Sequence, residues 1–185
     1  SSSSAASDVY KRQVFTKKET TRIVQIDPVK DIRDLQLFFP ISGTRDMYQS
    51  KPGRQMGFIL GHEGKGSLLS FLKEKGWATS LSAGAGSDTK EYGRASVKIG
   101  LTEQGLKDYE EVLMATVDYI RLMKSAGYQE HVFNELKTMA ELEYVYGAKG
   151  EGMWRATQLA NEAMMYPLEN VGKINYMYND TVSYT

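Results

Sequence analysis

Residues 57–77 read GFILGHEGKGSLLSFLKEKGW. The stretch runs from an apolar helical segment into a glycine-broken turn, Gly61 to Ser67, and out into a second amphipathic helix. Pro52 and Gly53 open the first helix, and Met56, Ile59 and Leu60 form its inward side. Ser67 is placed to cap the second helix, residues 68–75, because a serine oxygen accepts a free N–H of the first turn. Gly76 is placed to stop it in the left-handed conformation that only glycine adopts cheaply. Gly64 and Gly66 let the two helices meet at a tight angle.

The flanks set the fold class. Residues 19–29 (ETTRIVQIDPV) alternate weakly and are β-branched, which predicts a strand. Residues 35–41 (LQLFFPI) are the strongest strand signal, with Pro40 marking an exit or an edge. Downstream, residues 78–91 are small and polar around Leu81, and residues 92–101 alternate through Ala95, Val97 and Ile99. These two are read as an antiparallel pair. Thr102 caps a long helix from Glu103 to Gly127 with a stripe of Leu106, Tyr109, Leu113, Val117 and Ile120. A helix over 129–146 follows, with Val132, Phe133, Leu136, Ala140 and Tyr144 inside. A third covers 151–166, with Trp154, Leu159 and Met164 inside, and Pro167 stops it. Strands first paired, helices later segregated, and no regular β-α-β alternation predict an α+β fold: an antiparallel sheet with helices on one face.

Bulk composition narrows the function. The chain has 185 residues, about one domain. Lysine plus arginine number 23 and aspartate plus glutamate 23, so no global field draws nucleic acid or anionic membrane. No basic stripe accompanies the aromatics Tyr144, Tyr146, Trp154, Tyr166, Tyr176 and Tyr178, which argues further against nucleic acid. No apolar run approaches the ~20 residues that span a bilayer. With no cysteine there is neither disulfide nor thiolate chemistry, and the compartment is not fixed. Residues 1–13 and 182–185 lack the domain's patterning and read as non-native leader and tail. That leaves 14–181 as a single domain cut at its C-terminal end.

His62 and Glu63 invite a zinc reading, which fails on spacing. Two ligands must lie one helical turn apart to converge on an ion, and Gly66 stands where H-E-x-x-H needs its second histidine. The inverted H-x-x-E-H pattern fails with His62 at either end, and His131, the other histidine, is remote. The turn also approaches a phosphate loop, but Lys65 precedes Gly66 instead of following it. Gly84-Ala85-Gly86 lies in a strand of small residues. It is either an open edge that accepts an extended peptide by strand addition or a loose hairpin tip.

Several blocks in order, LGHEGKGSLLSFLKEKGWATSLSAG, IRDLQLFFPI, VKIGLTEQGL, YIRLMKSAGYQEHVFNEL and MMYPLENV, resemble the second domain of insulinase-like (pitrilysin, or inverzincin) zinc metallopeptidases. The branch is that of insulin-degrading enzyme and protease III, and the resemblance runs from about residue 20 to 178. It implies the metallopeptidase, or mitochondrial processing peptidase-like, fold. It implies a parent zinc metalloendopeptidase acting on oligopeptides, with the zinc site in an upstream catalytic domain and none in this fragment. This domain would then help wall a peptide chamber. By the same resemblance Gly61, Glu63 and the strand Leu81, Ser82, Ala83, Gly84 match an exosite for a peptide's amino-terminal end, with Ser82-Ala83 departing from a more apolar-and-glycine pair. The alternative is a non-peptidase structural or peptide-binding subunit of the same fold, which an upstream H-x-x-E-H would exclude.

Overall fold

The computed structural model describes residues 22–26, 29, 32–86, 89–148 and 150–179. The elements are β1 (Asp34–Ser42), α1 (Pro52–Leu60), α2 (Leu68–Glu74), β2 (Ala78–Gly86), β3 (Tyr92–Leu101), α3 (Glu103–Lys107), α4 (Tyr109–Ala126), α5 (Glu130–Tyr146) and α6 (Gly152–Met165). Short 3-10 turns at Arg45–Met47, Leu168–Asn170 and Ile174–Tyr176 complete the order. The strands form one antiparallel sheet in the order β1-β3-β2. The fold is α+β, as the order of elements predicts.

Alternation sorts the sheet into two faces. Leu37, Leu81, Val97 and Ile99 point into the core beneath the helices, joined by Leu68, Leu69 and Leu72 of α2 and Val112 of α4. The opposite face carries Phe38, Arg94, Lys98 and Ser82 and stays open: the Arg94 guanidinium rests 5.2 Å from the Phe38 ring centroid, and Lys98 pairs with Asp34 at 2.9 Å. A second cluster joins Val132, Phe133, Leu136 and Ala140 of α5 to Tyr178, with Phe58 and Ile59 of α1 packed against it. α1 therefore stands between the two clusters.

Local chemistry places most element ends where the sequence predicts them. The Ser67 hydroxyl accepts the Ser70 N–H at 3.1 Å, and the Thr102 hydroxyl accepts the Gly105 N–H at 2.9 Å. Gly76 and Gly127 take φ of 72° and 69°, the left-handed region.

Three expectations fail. Residues 22–26 and 29 are not a strand, and Ile23, Val24 and Ile26 lie exposed. No strand lies beside them among the described residues, and β propensity makes a strand only where a partner supplies the ladder. Residues 19–21, 27 and 28 lie outside the described set, as do residues 1–13 and 182–185, on which the reading of a leader and a tail falls. The long helix from Glu103 breaks at Asp108, whose carboxylate accepts Trp77 Nε1–H at 2.9 Å and Gln104 Nε2–H at 2.7 Å. The break resets the helical phase, so Val112 and Thr116 are the fully buried residues of α4. Leu113, Val117 and Ile120 are half-buried and Leu106 is exposed. On α5 and α6, Tyr144, Trp154 and Met164 are exposed instead of inside, because no described element covers them.

Candidate functional site

β2 is an outer strand, and hydrogen-bond alternation says which of its groups face outward. The Leu101 N–H donates to the Arg33 carbonyl at 2.7 Å, and the Thr102 N–H donates to the Trp77 carbonyl at 3.0 Å. Successive residues of β3 therefore bond alternately toward β1 and β2. The register pairs Ser80, Ser82, Gly84 and Gly86 with Gly100, Lys98, Ser96 and Arg94, the residues of β3 that bond toward β2. The N–H and C=O groups of Leu81, Ala83 and Ala85 consequently point away from β3, toward the sheet margin. A bulge at Thr79–Ser80 sets this phase. Gly100 faces it, since a Cβ there would stand 3.0 Å from Thr79 Oγ1 and closer still to Ser80 Oγ.

α1 lies against this margin on a stripe of glycines. Gly53, Gly57 and Gly61 recur every four residues and share one side of the helix. A Cβ on Gly53 would come within 2.6 Å of the Ala85 carbonyl oxygen. One on Gly57 would lie 3.1 Å from the Ala83 carbonyl oxygen and 3.2 Å from Gly84 Cα. Helix and strand backbones thus approach without a side-chain layer between them. The spacing of these glycines was visible in the sequence; their meaning needed β2 beside them.

Each residue of the predicted exosite has a definite place. Gly61 caps α1, its N–H donating to the Gly57 carbonyl at 2.8 Å, and a Cβ on it would sit 4.0 Å from the Ala83 nitrogen. Gly61 and Ala83 are therefore neighbours although 22 positions separate 61 from 83. His62 and Glu63 leave that cap as exposed side chains. Leu81 is buried in the core, Ala83 is half-buried on the same face, and Ser82 is exposed on the open face. A Cβ on Gly84 would meet nothing within 4 Å. The turn carrying Glu63 and the outward amides of β2 meet at one corner, where an extended backbone could approach and an ammonium could meet a carboxylate.

These residues do not fit a zinc ion. Among the described residues no three histidine, aspartate or glutamate side chains converge. The His62 ring packs toward Phe58, with centroids 6.5 Å apart, and Glu63 alone stands beside it as a possible donor.

Lys51 ties the start of α1 to residues 174–178, a device the sequence did not signal. It has φ of 46°, a left-handed conformation, and its ammonium donates to the carbonyls of Tyr48, Ile174 and Met177 at 2.7, 2.6 and 2.6 Å. It also sits 4.8 Å from the Tyr178 ring centroid. Burial, and then the Arg54 guanidinium, lower its pKa from 10.5 to about 8. α1 is thus pinned at its start by this clamp and along its length by the glycine contact.

Comparison with known proteins gives the family and supports the fold. Residues 2–140 match the family described as the peptidase M16 inactive domain. The chain is 33% identical over 152 residues to the A-factor-processing enzyme of Saccharomyces cerevisiae, covering 82% of this chain and 15% of that protein. It is 33% identical over 166 residues to insulin-degrading enzyme of Homo sapiens, covering 90% and 16%. A nardilysin-like protein of Arabidopsis thaliana is 33% identical over 161 residues, covering 85% and 16%. The crystal structure of pitrilysin superposes with a TM-score of 0.75 at 19% identity, over 90% of this chain and 19% of that one, which establishes the shared fold. The chain spans about a sixth of the length of the curated relatives it matches. It belongs to the M16 family of peptidases, as that family's inactive domain.

Proposed function

We propose that this chain is the non-catalytic domain of a zinc-dependent metalloendopeptidase that cleaves oligopeptides. In this reading the zinc, the general base and the attacking water belong to an upstream domain of the same polypeptide. This domain supplies part of the chamber wall and anchors the substrate's amino-terminal end. The family description as an inactive domain supports the division of labour. The open polar face of the sheet supports the wall role.

One observation carries the anchoring role: the outward Ala83 N–H lies beside the Gly61 cap, from which Glu63 projects, and the outward groups of Leu81 come next along β2. α1 covers the Ala83 and Ala85 carbonyls, so an extended peptide adds main-chain hydrogen bonds at the Leu81 end of the margin. Small residues there keep side chains out of its path, and the Glu63 carboxylate meets the α-ammonium. Each bond contributes only about 0.5–1.5 kcal/mol net, so the anchor alone binds weakly and the catalytic domain provides the rest.

The test is Glu63→Gln in the full-length enzyme. KM for peptides with a free amino terminus rises, and KM for their amino-acetylated counterparts stays nearly constant. Equal effects on both would remove the anchoring role. An upstream sequence without H-x-x-E-H would remove the peptidase reading itself and leave a peptide-binding or structural subunit.

A further inference from the structure

We propose that the cavity between α6 and the turn Ile174–Tyr176 is a subsite for the cationic end of a basic side chain, arginine or lysine, of a bound peptide. The inference is independent of the anchoring role given to Glu63, and its test uses no peptidase activity.

The cavity has a volume of about 360 Å³. Trp154, Gln158, Asn161 and Glu162 line it from one side of α6, at helical spacing, and Asn175 lines it from the turn. One of these side chains is both charged and buried: Glu162 is 6% exposed. Its carboxylate accepts the Gly172 N–H at 2.7 Å and Gln158 Nε2–H at 2.8 Å. Both donors are neutral, and among the described residues Glu162 forms no ion pair. Arg45 reaches the Met165 sulfur, 3.9 Å away, and does not line the cavity. A carboxylate has about four acceptor positions, of which these bonds use two. A buried charge is costly until it is paired. The wall of the cavity therefore carries a negative charge that no cation lining the cavity offsets.

The second half of the recognition is aromatic. Trp154 lines the same cavity with 76% of its surface exposed. Indole is the best side-chain ring for attracting a guanidinium or an ammonium. An open tryptophan beside a buried carboxylate thus offers a basic side chain a ring for its stem and a counter-charge for its head. An acidic ligand is repelled here, and a neutral one leaves Glu162 no better paired. Asn161 and Asn175 add neutral donors and acceptors, which suit the amide groups of a peptide. A free diamine fits less well: among the described residues Glu162 is the one acidic group lining the cavity, so a second ammonium finds no carboxylate.

The experiment titrates the 185-residue chain with N-acetyl-argininamide, with N-acetyl-citrullinamide, its uncharged isostere, and with putrescine. Indole N–H signals in NMR spectra read the binding. Trp154 reports on the cavity, and Trp77, whose Nε1–H is held by Asp108 at 2.9 Å, is the internal reference. The arginine probe should shift the Trp154 signal and leave that of Trp77 in place. The citrulline probe should bind at least about tenfold more weakly, because only the guanidinium makes a charge-assisted bond. Glu162→Gln keeps the shape and removes the charge, and should weaken the arginine probe by a similar factor. Equal affinity for the arginine and citrulline probes would overturn the proposal whether or not that variant folds. So would a Glu162→Gln chain that binds the arginine probe undiminished, or a Trp154 signal that no probe moves. Putrescine binding more tightly than the arginine probe would overturn it too, by assigning the cavity to a free diamine.

Discussion

The sheet with α1, α2 and α4 is held together differently from the α5–α6 end. In the first region Leu72, Val97, Ile99 and Val112 are at most 1% exposed, and backbones pack through glycines. In the second, burial is limited to one side of α5, Glu162 of α6, Ile174 and Tyr178, and the elements are attached at points. Two of the attachments are polar: Lys51 on three carbonyls and Glu162 on the Gly172 N–H. The difference teaches where stability and recognition lie. The sheet region carries a continuous core and holds the Gly61–Ala83 corner rigid. The helical end is pinned at points and leaves Trp154 and Met164 exposed.

The sharpest test pairs one residue from each region. Leu72→Ala should cost about 2–5 kcal/mol, because it deletes a fully enclosed side chain between α2 and the sheet. Met164→Ala in the 185-residue chain should stay within about 0.5 kcal/mol, as for an exposed position free of special contacts. Urea unfolding reads both. Comparable costs would break the comparison outright. Gly57→Ala comes next and sets two effects against each other. Alanine improves helix propensity by about 1 kcal/mol. Its Cβ would press on the Ala83 carbonyl and Gly84 Cα, which are backbone and cannot swing aside, an overpacking that costs about 1–3 kcal/mol. A net loss of roughly 1 kcal/mol is expected; a gain would mean that α1 and β2 part without penalty.

Elements whose ends are set by local chemistry were legible in the sequence. Ser67 and Thr102 cap as their side chains require, and Gly76 and Gly127 stop helices where a positive φ is needed. Residues 35–41 and 92–101 read as strands because their alternation matches a sheet with one buried face. What failed depended on partners distant in the chain. Ile23, Val24 and Ile26 have strand propensity without a neighbouring strand among the described residues. The stripe of α4 depended on Asp108, whose bond to Trp77 interrupts the helix and rotates its face. Trp154 and Met164 have core-like chemistry, but position decides their exposure. At the candidate site, Gly61, Glu63 and Leu81–Gly84 came from family resemblance. The chain's own physics adds the outward phase of β2, fixed by a bulge that no residue pattern announces.

The polar attachments should give smaller effects. Glu162→Gln keeps the shape but removes the charge that strengthens the bond from Gly172, so a loss of about 1 kcal/mol is expected. The loss should appear first as faster exchange of amides near Gly172 and only later as a shift of the whole unfolding curve. A shift of both together would mean that the helical end and the sheet unfold as one unit, which would break the contrast between the regions.

Lys51 gives the smallest and most specific signal. Three carbonyls favour its ammonium, whereas burial and Arg54 disfavour it and prevail, bringing the pKa from 10.5 to about 8. Between those values the unfolded chain binds more protons than the folded one, so stability should rise with pH across that interval. Below about 8 both states hold the proton and the penalty is constant; above 10.5 neither does and the relief is complete. Lys51→Met has no such titration. The unfolding free energy of the wild-type chain, minus that of Lys51→Met, should therefore climb from about pH 8 to 10.5 and be flat below. The partial exposure of the ammonium keeps the climb small. A difference that falls over the same interval would mean that the three carbonyl bonds outweigh burial, and that the clamp holding α1 to residues 174–178 depends on the charge itself.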